Sequence, residues 1–322
     1  MNKRKPDIDP VGIVGLGLLG RGIATCLLAN GFSVRAYNRT ARRAGTAVDH
    51  IGAALREMVR RKVLSRKAAD DWRARFALVS SPEELGDCAF VIESVREDLK
   101  LKREIFRQLE SSMRPAAVIA SNTSSLPISI LQKGRHHPER FIGMHWGEPA
   151  EIMRYLEIIP GKQTSAETIR ITRHLGEACG KEPSTLNVDI RGFVSNRMMY
   201  AMMREAFHLV ESGVADLETV DRSFRNDIGW WATIAGPFRW MDLTGIPAYA
   251  TVAEGLFPKL CNTKSVSKVI GDVVAGGANG ISNAKGFYKY SKAGAKQWER
   301  AWVDFTYDVA ALVRKYERRV KL

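Results

Sequence analysis

Cysteine is scarce in this 322-residue chain: Cys26, Cys88, Cys179 and Cys261 are scattered, and none forms a C-x-x-C pair. That excludes a disulfide-framed secreted domain and predicts buried thiols in a reducing compartment. The six histidines are not spaced as metal ligands, so no metal is expected. Apolar runs of membrane-spanning length are missing, so no membrane partner is expected. Met1 to Lys5 is basic and leads toward an apolar stretch, as a secretory leader would. Pro6, Asp7, Asp9 and Pro10 interrupt that approach, Arg21 breaks the stretch, and no small-residue cleavage site follows. The expected location is cytoplasmic. Acidic residues are outnumbered, 35 against 49 basic ones, giving a formal charge of +14. The basic residues are spread along the chain without any RRM, KH or zinc-finger signature, so nucleic acid is not the expected partner. A polyanionic small molecule, or solubility alone, accounts for such a surface. No internal repeat or low-complexity segment stands out.

What the chain does have is glycine at telling positions. Val11-Gly-Ile-Val14 reads as a short apolar strand, and Gly15-x-Gly17-x-x-Gly20 follows, opening an apolar helical run to about Asn30. Gly15 permits a tight turn, Gly17 lets backbone amides approach a pyrophosphate, and Gly20 lets helix and strand pack closely. The helix then offers unpaired N–H groups and a positive dipole end to phosphate. A second strand, Ser33 to Tyr37, arrives on schedule, and this context reads as a dinucleotide site. At its end, where an acidic residue usually holds a free ribose 2′-hydroxyl, stands Asn38, followed by Arg39, Arg42 and Arg43. Asn38 can bond a hydroxyl, whereas the arginines attract a 2′-phosphate. The cofactor is NAD(P), with NADP favoured and NAD left open.

Two amphipathic segments come next, one with Val48, Ile51, Leu55, Met58 and Val59 on a face, the other with Ala69, Trp72 and Phe76. They read as a helical hairpin whose basic junction, Arg60-Arg61-Lys62 with Arg66 and Lys67, either grips phosphates or is simply solvated. Strand-like runs recur at Phe90 to Ile92, Val118 to Ala120, Phe141 to Met144 and Leu156 to Ile159, with a helix through Leu101, Ile105, Phe106 and Leu109. This alternation predicts an α/β, doubly wound, mainly parallel sheet, with ligands outside the carboxyl ends of its strands. Beyond about Asp189 the pattern turns helical: Val194, Met198, Met202, Ala206 and Val210 share one face. Near the end, Trp298, Trp302, Phe305, Val309, Leu312 and Tyr316 form a long stripe suited to a core or a dimer interface. The expected domains are residues 1–189, for the dinucleotide, and residues 190–322, for substrate and dimerisation.

The chain resembles the L-3-hydroxyacyl-CoA dehydrogenase family in Gly15-Leu-Gly-Leu-Leu-Gly-Arg-Gly22, Val91-Ile-Glu-Ser-Val-Arg-Glu97, Ser121-Asn-Thr-Ser-Ser-Leu126 and Arg140-Phe-Ile-Gly-Met-His145. The likeness continues, in order, through Leu156-Glu-Ile158, Gly192-Phe-Val-Ser-Asn-Arg197, Gly236-Pro-Phe238 and Lys285-Gly-Phe-Tyr-Lys-Tyr290. It implies a Rossmann-type domain with a helical hairpin insertion, then an all-α domain that forms a homodimer. It also implies that His145 is the general acid/base, that Glu157 orients its imidazole, and that Ser124 and Asn196 hydrogen-bond substrate oxygens. A histidine suits this proton because its ordinary pKa lies near about 6.5. Cofactor contacts are expected at Gly15, Gly17 and Gly20 from the glycine turn and at Asn38, Arg39 and Arg43 from the end of the second strand, with Leu18, Leu19, Glu97, Lys102 and Asn122 added. For the substrate it marks Ser124, Trp146, Glu148 and Asn196, to which Arg61 and Lys62 are added as a grip for CoA phosphates.

There are departures. After the histidine the family usually has two aromatic residues and then Asn-Pro, where this chain has Trp146, Gly147, Glu148 and Pro149. Arg191 stands where proline is usual. The expected function is an oxidoreductase that interconverts a 3-hydroxyacyl-CoA, or a closely related 3-hydroxy acid, with its 3-oxo form. A dehydrogenase of a free hydroxy acid, such as carnitine or a sugar acid, is the alternative. A non-catalytic dinucleotide-binding protein is a third reading, against which the Ser124, His145, Glu157 and Asn196 set argues.

Overall fold

A computed structural model describes residues 8–320; the Met1–Lys5 segment weighed as a leader lies outside the described residues. The chain divides into two compact units, Met1–Asn196 and Arg197–Leu322. In the first unit, β1 (Val11–Val14), β2 (Val34–Tyr37), β3 (Phe76–Val79), β4 (Phe90–Glu93), β5 (Val118–Ser121), β6 (Phe141–Trp146), β7 (Tyr155–Pro160) and β8 (Glu182–Thr185) form a single sheet among the described residues. Its order is β3-β2-β1-β4-β5-β6-β7-β8. All neighbours run parallel except β6 and β7, which are antiparallel. The crossover from β1 to β4 makes a switch point, where such sheets bind ligands. Register lines up Tyr37, Val14, Glu93 and Ser121 along one rim.

Helices α1 (Leu18–Ala29), α2 (Ala41–Arg60), α3 (Arg66–Asp70), α4 (Leu99–Ser112), α5 (Ile128–Gln132) and α6 (Ala166–Ala178) complete this unit. The central strands are nearly continuous apolar runs because both faces are covered: every residue of β1 and β4 is buried. Asp98 caps α4 by accepting the Leu101 amide at 3.0 Å. Ile105, Phe106 and Leu109 of α4 then bury with Val91, Ile119 and Phe141 in one cluster. Each such side chain contributes about 1.5–3 kcal/mol when fully buried.

The hairpin insertion differs from the expected pair of helices. Its second arm is only five residues of α3 and a 3₁₀ turn over Asp71–Arg75, and Phe76 opens strand β3, opposite Val34. The chain turns there because Arg75 donates to the Leu28 and Phe32 carbonyls, both at 2.9 Å, which ends the helical path at the close of α1. Edge strand β8 gave no apolar signal: Glu182-Pro-Ser-Thr185 is mostly exposed, as an edge tolerates.

The second unit carries helices. After α7 (Ser195–Glu211) come α8 (Leu217–Asn226), α9 (Ile228–Trp231), α10 (Pro237–Thr244), α11 (Ile246–Leu256), α12 (Lys268–Ala275) and α13 (Lys292–Val320). Among its described residues only Ala235, Ala295, Thr306 and Tyr307 are buried. Trp298, Trp302, Phe305 and Leu312 of the α13 stripe are exposed, so that stripe is not a core of the single chain. No helix among the described residues is long and apolar enough to cross a membrane.

Candidate active site

The turn from β1 to α1 is built around its glycines. Gly15 has φ +98°, and a Cβ there would come within 2.6 Å of the Ser94 carbonyl oxygen. A Cβ on Gly20 would overlap the Gly15 carbonyl oxygen, whereas one on Gly17 would meet open space. Gly15 and Gly20 thus shape the turn, and Gly17 keeps the approach clear. No side chain caps α1 and no acidic residue occupies its first turn, so its leading amides face outward uncapped. Leu18 is 55% exposed at the head of that helix, an apolar surface ready for a ligand.

A cleft of about 190 Å³ follows the strand ends, lined by Gly15, Gly17, Tyr37, Asn38, Arg39, Arg43 and Arg96 among others. Asn38 accepts the Leu16 amide at 3.1 Å and donates to the Thr40 carbonyl at 3.0 Å. Its side chain therefore ties the loop together, leaving Arg39 and Arg43 as cationic lining. Outward amides, a cleared approach and an adjoining cleft fit a dinucleotide.

Behind the next strand ends lies a buried polar network. Lys102 has no exposed surface, and its ammonium meets both oxygens of Glu93, at 2.8 and 2.9 Å. Ser121 donates to Glu93 at 2.6 Å, and Lys102 also lies 3.4 Å from Glu97. Glu97 in turn accepts the Thr123 hydroxyl and the amides of Ser124 and Ser125 through one oxygen. Burial pushes the Glu97 carboxyl up, but the Thr123 hydroxyl, the Lys102 ammonium and the Ser125 amide outweigh it and hold it below its ordinary range. Lys102, expected at the cofactor, is here the buried counter-ion of Glu93, with Glu97 beside it. Asn122 donates to Ser94 at 3.2 Å and accepts the Trp146 amide at 2.9 Å, fastening β6 to the rim.

His145 and Glu157 face each other across the antiparallel β6–β7 pair. His145 Nδ1 lies 3.1 Å from Glu157 Oε2, and both residues are buried. The other Glu157 oxygen accepts the amides of Val194 and Ser195, at 3.1 and 2.9 Å, where α7 begins. Gly192 and Phe193 both have positive φ, +79° and +51°, and this left-handed pair turns the chain so that those amides point at the carboxylate. The fully buried Phe193 ring packs 5.6 Å from the imidazole. Burial raises the Glu157 carboxyl, yet hydrogen bonds from His145, Tyr155 and the Ser195 amide hold it below its ordinary value. The dyad leaves Nε2 as the imidazole nitrogen free of these partners. Asn196 donates to the Ser124 carbonyl at 3.0 Å, so these two expected substrate contacts adjoin one another.

Other expected site residues lie elsewhere. Trp146 is 2% exposed, and its ring sits 5.3 Å from the Lys181 ammonium. Next to His145 on a strand, it points to the opposite face of the sheet, among core residues. Glu148 is exposed; partial desolvation raises its carboxyl, opposed by the charge of Arg21 rather than by the imidazole. Arg61 pairs with Glu57 at 2.7 Å, as does Arg60 at 2.6 Å, while Lys62 is exposed with φ +58°. Tyr155 and Phe193 escaped notice in the sequence. Tyr155 lies two residues before Glu157 on one strand, and that period of two was the available signal.

Comparisons with known proteins follow the same division. A family model described as the 3-hydroxyacyl-CoA dehydrogenase NAD binding domain matches residues 10–189, and the corresponding C-terminal domain matches residues 192–290. A 5-formyl-3-hydroxy-2-methylpyridine 4-carboxylate 5-dehydrogenase from Mesorhizobium japonicum is 32% identical over 91% of this chain and 95% of its own. A probable 3-hydroxybutyryl-CoA dehydrogenase from Deinococcus radiodurans is 32% identical over 87% of this chain and 99% of its own. Among solved structures, one of the pyridine carboxylate dehydrogenase, described as an NAD+ dependent dismutase, gives a TM-score of 0.88 at 28% identity, covering 96% of this chain and 99% of that one.

Proposed function

The chain belongs to the 3-hydroxyacyl-CoA dehydrogenase family, and on that footing we propose that it oxidises a secondary alcohol reversibly, with His145 as general base and acid. The observation that carries this reading is the braced imidazole: Glu157 holds Nδ1 at 3.1 Å, so Nε2 is the nitrogen offered to substrate. A bound nicotinamide dinucleotide would supply the hydride acceptor. In the oxidising direction Nε2 takes the hydroxyl proton, and the carboxylate of Glu157 stabilises the imidazolium that results. In reduction the same nitrogen returns that proton. Ser124 and Asn196 hydrogen-bond the reacting oxygen and hold it as its charge changes. The uncapped amides of α1 would hold the pyrophosphate of that dinucleotide. Arg39 and Arg43, in a cleft whose lining among the described residues holds no carboxylate, support NADP as a cofactor alongside NAD.

The substrate of the main reading is a 3-hydroxyacyl-CoA or a closely related 3-hydroxy acid. A second reading, a free hydroxy acid, is favoured by one observation. Glu57 engages both Arg60 and Arg61, and the Arg60 bond, prevailing over partial burial, pulls its carboxyl down to about 2. The hairpin is thus partly neutralised within itself and makes a weaker grip for CoA phosphates. A second copy of the chain covers the exposed apolar residues of the helical unit, and the buried free thiols Cys26, Cys88 and Cys179 suit the cytoplasm. The test is a turnover screen of 3-hydroxybutyryl-CoA, free 3-hydroxybutyrate, carnitine and a hydroxymethylpyridine carboxylate, each with NAD and NADP. Thioester turnover supports the main reading, free-acid turnover alone supports the second, and no hydride transfer to either cofactor overturns both.

A further inference from the structure

We propose that Tyr155 is a positioning residue that competes with His145 for Glu157 and so sets how firmly the imidazole holds its proton. The inference rests on the reading of His145 as the base. Tyr155 and Glu157 stand two apart on β7 and leave the same face of the sheet. The Tyr155 hydroxyl donates to Glu157 Oε2 at 2.6 Å and lies 2.9 Å from His145 Nδ1. With the 3.1 Å separation of Nδ1 from Oε2, the three polar atoms close a triangle. The two rings meet edge to face, centroids 5.5 Å apart at 86°.

Counting hydrogens fixes the roles. The phenol has one proton and gives it to Oε2. The Nδ1 proton is then divided between Oε2 and the phenol oxygen. The opposite carboxylate oxygen is already occupied by the Val194 and Ser195 amides. Glu157 is therefore shared among four donors, and each added donor weakens its hold on the imidazolium. Burial, then the bond and charge of Glu157, push the Tyr155 phenol above its ordinary range, so it remains a donor at any working pH.

Space for the phenol comes from Gly147. A Cβ there would lie 2.9 Å from Tyr155 Cδ1 and 3.4 Å from Cγ, so a side chain at 147 displaces the ring. The titratable groups that face the imidazole are Glu157 and Tyr155, both from β7. The segment leading into α7 supplies the uncharged Phe193 ring. Glu148, beyond the end of β6, responds to Arg21.

The test compares wild type with Tyr155→Phe, which keeps the ring and removes the hydroxyl, and with Gly147→Ala. The first readout is a ¹⁵N NMR titration of the His145 ring in the full chain, assigned with His145→Gln. The second is the pH–rate profile of alcohol oxidation. Without the competing hydroxyl, the imidazole of Tyr155→Phe titrates at a pH higher than wild type by about half a unit or more, and the acidic limb of the profile moves with it. Gly147→Ala shifts in the same direction, and thermal melts report whether each variant is folded. Superimposable titrations, or a shift to lower pH, overturn the proposal. Retained turnover in His145→Gln instead overturns the reading of the base, while the NMR comparison still decides the role of Tyr155.

Discussion

His145 and Glu157 are register partners on antiparallel strands, with Nδ1 3.1 Å from Oε2. Their separation is set by the β6–β7 ladder rather than by a mobile loop. A slip of one residue would send one of the two side chains to the opposite face of the sheet. The imidazole is thus fixed before any substrate arrives.

Replacing His145 with Gln keeps a similar shape and removes the proton acceptor. We expect kcat to fall about 10²–10⁴-fold, the range for losing a positioned general base. Cofactor affinity, measured by fluorescence titration, should change little because the uncapped α1 amides lie elsewhere on the rim. Turnover close to wild type would remove His145 from the mechanism.

Glu157 links the site to acid stability. Its folded-state carboxyl lies below the ordinary value despite burial, because His145, Tyr155 and the Ser195 amide donate to it. A depressed carboxyl stabilises the fold above its unfolded pKa of roughly 4.3, and that stability is lost as pH falls through the folded value. Thermal melts between about pH 6 and 3 should therefore show a shallower decline for Glu157→Gln than for wild type, from a lower starting Tm. Parallel curves would mean that the carboxylate contributes nothing across this window.

The central strands were legible because burial on both faces leaves them apolar, as Val11–Val14 and Phe90–Glu93 are. The glycine turn was legible because few backbone conformations tolerate a Cβ there. The dyad was legible only through the resemblance, because nothing local to His145 or Glu157 shows that they face each other across a strand pair. Which face Trp146 takes was not legible until strand alternation placed it opposite His145. Tyr155 was passed over because tyrosine is an ordinary strand former, although its spacing of two from Glu157 put both on one face. The burial of Lys102 was not legible, because a lysine at a helix start gives no sign of the buried Glu93 it meets.

The glycines of the turn separate folding from binding. Gly20→Ala drives a Cβ into the Gly15 carbonyl and should lower Tm by several degrees or prevent folding. Gly17→Ala meets no protein atom, so Tm should hold within about 2 °C, the scale expected for a surface change. On the proposed reading its methyl group stands in the path of the pyrophosphate, and cofactor Kd should rise at least about tenfold, or 1.4 kcal/mol. Equal cofactor affinity in Gly17→Ala and wild type would place the dinucleotide elsewhere.

On the proposed reading, cofactor choice follows from the end of β2. Asn38→Asp keeps an acceptor for the Leu16 amide and adds a charge that repels a 2′-phosphate. The ratio of kcat/KM for NADP over NAD should drop about tenfold or more, on the scale of one lost charge-assisted contact. Arg39→Ala with Arg43→Ala should lower the same ratio while sparing NAD. A ratio indifferent to all three changes would mean that this end of the cleft does not read the ribose.

The helical unit exposes Trp298 at 59%, Trp302 at 50% and Phe305 at 59% along α13, with Phe238 and Phe257 bare as well. Exposed apolar residues in such number suit an interface, and a stable one needs about 1,000 Å² or more. Trp298 and Phe305 are seven residues apart, two helical turns, and so share one face of α13. Light scattering on the wild-type chain should give roughly twice 35.9 kDa at micromolar concentration. The double change Trp298→Asp and Phe305→Asp places two charges in that contact and should yield monomer or loss of soluble protein, because a charge buried without a partner is strongly unfavourable. A wild-type chain that stays monomeric at 100 µM would show that these residues meet no second copy.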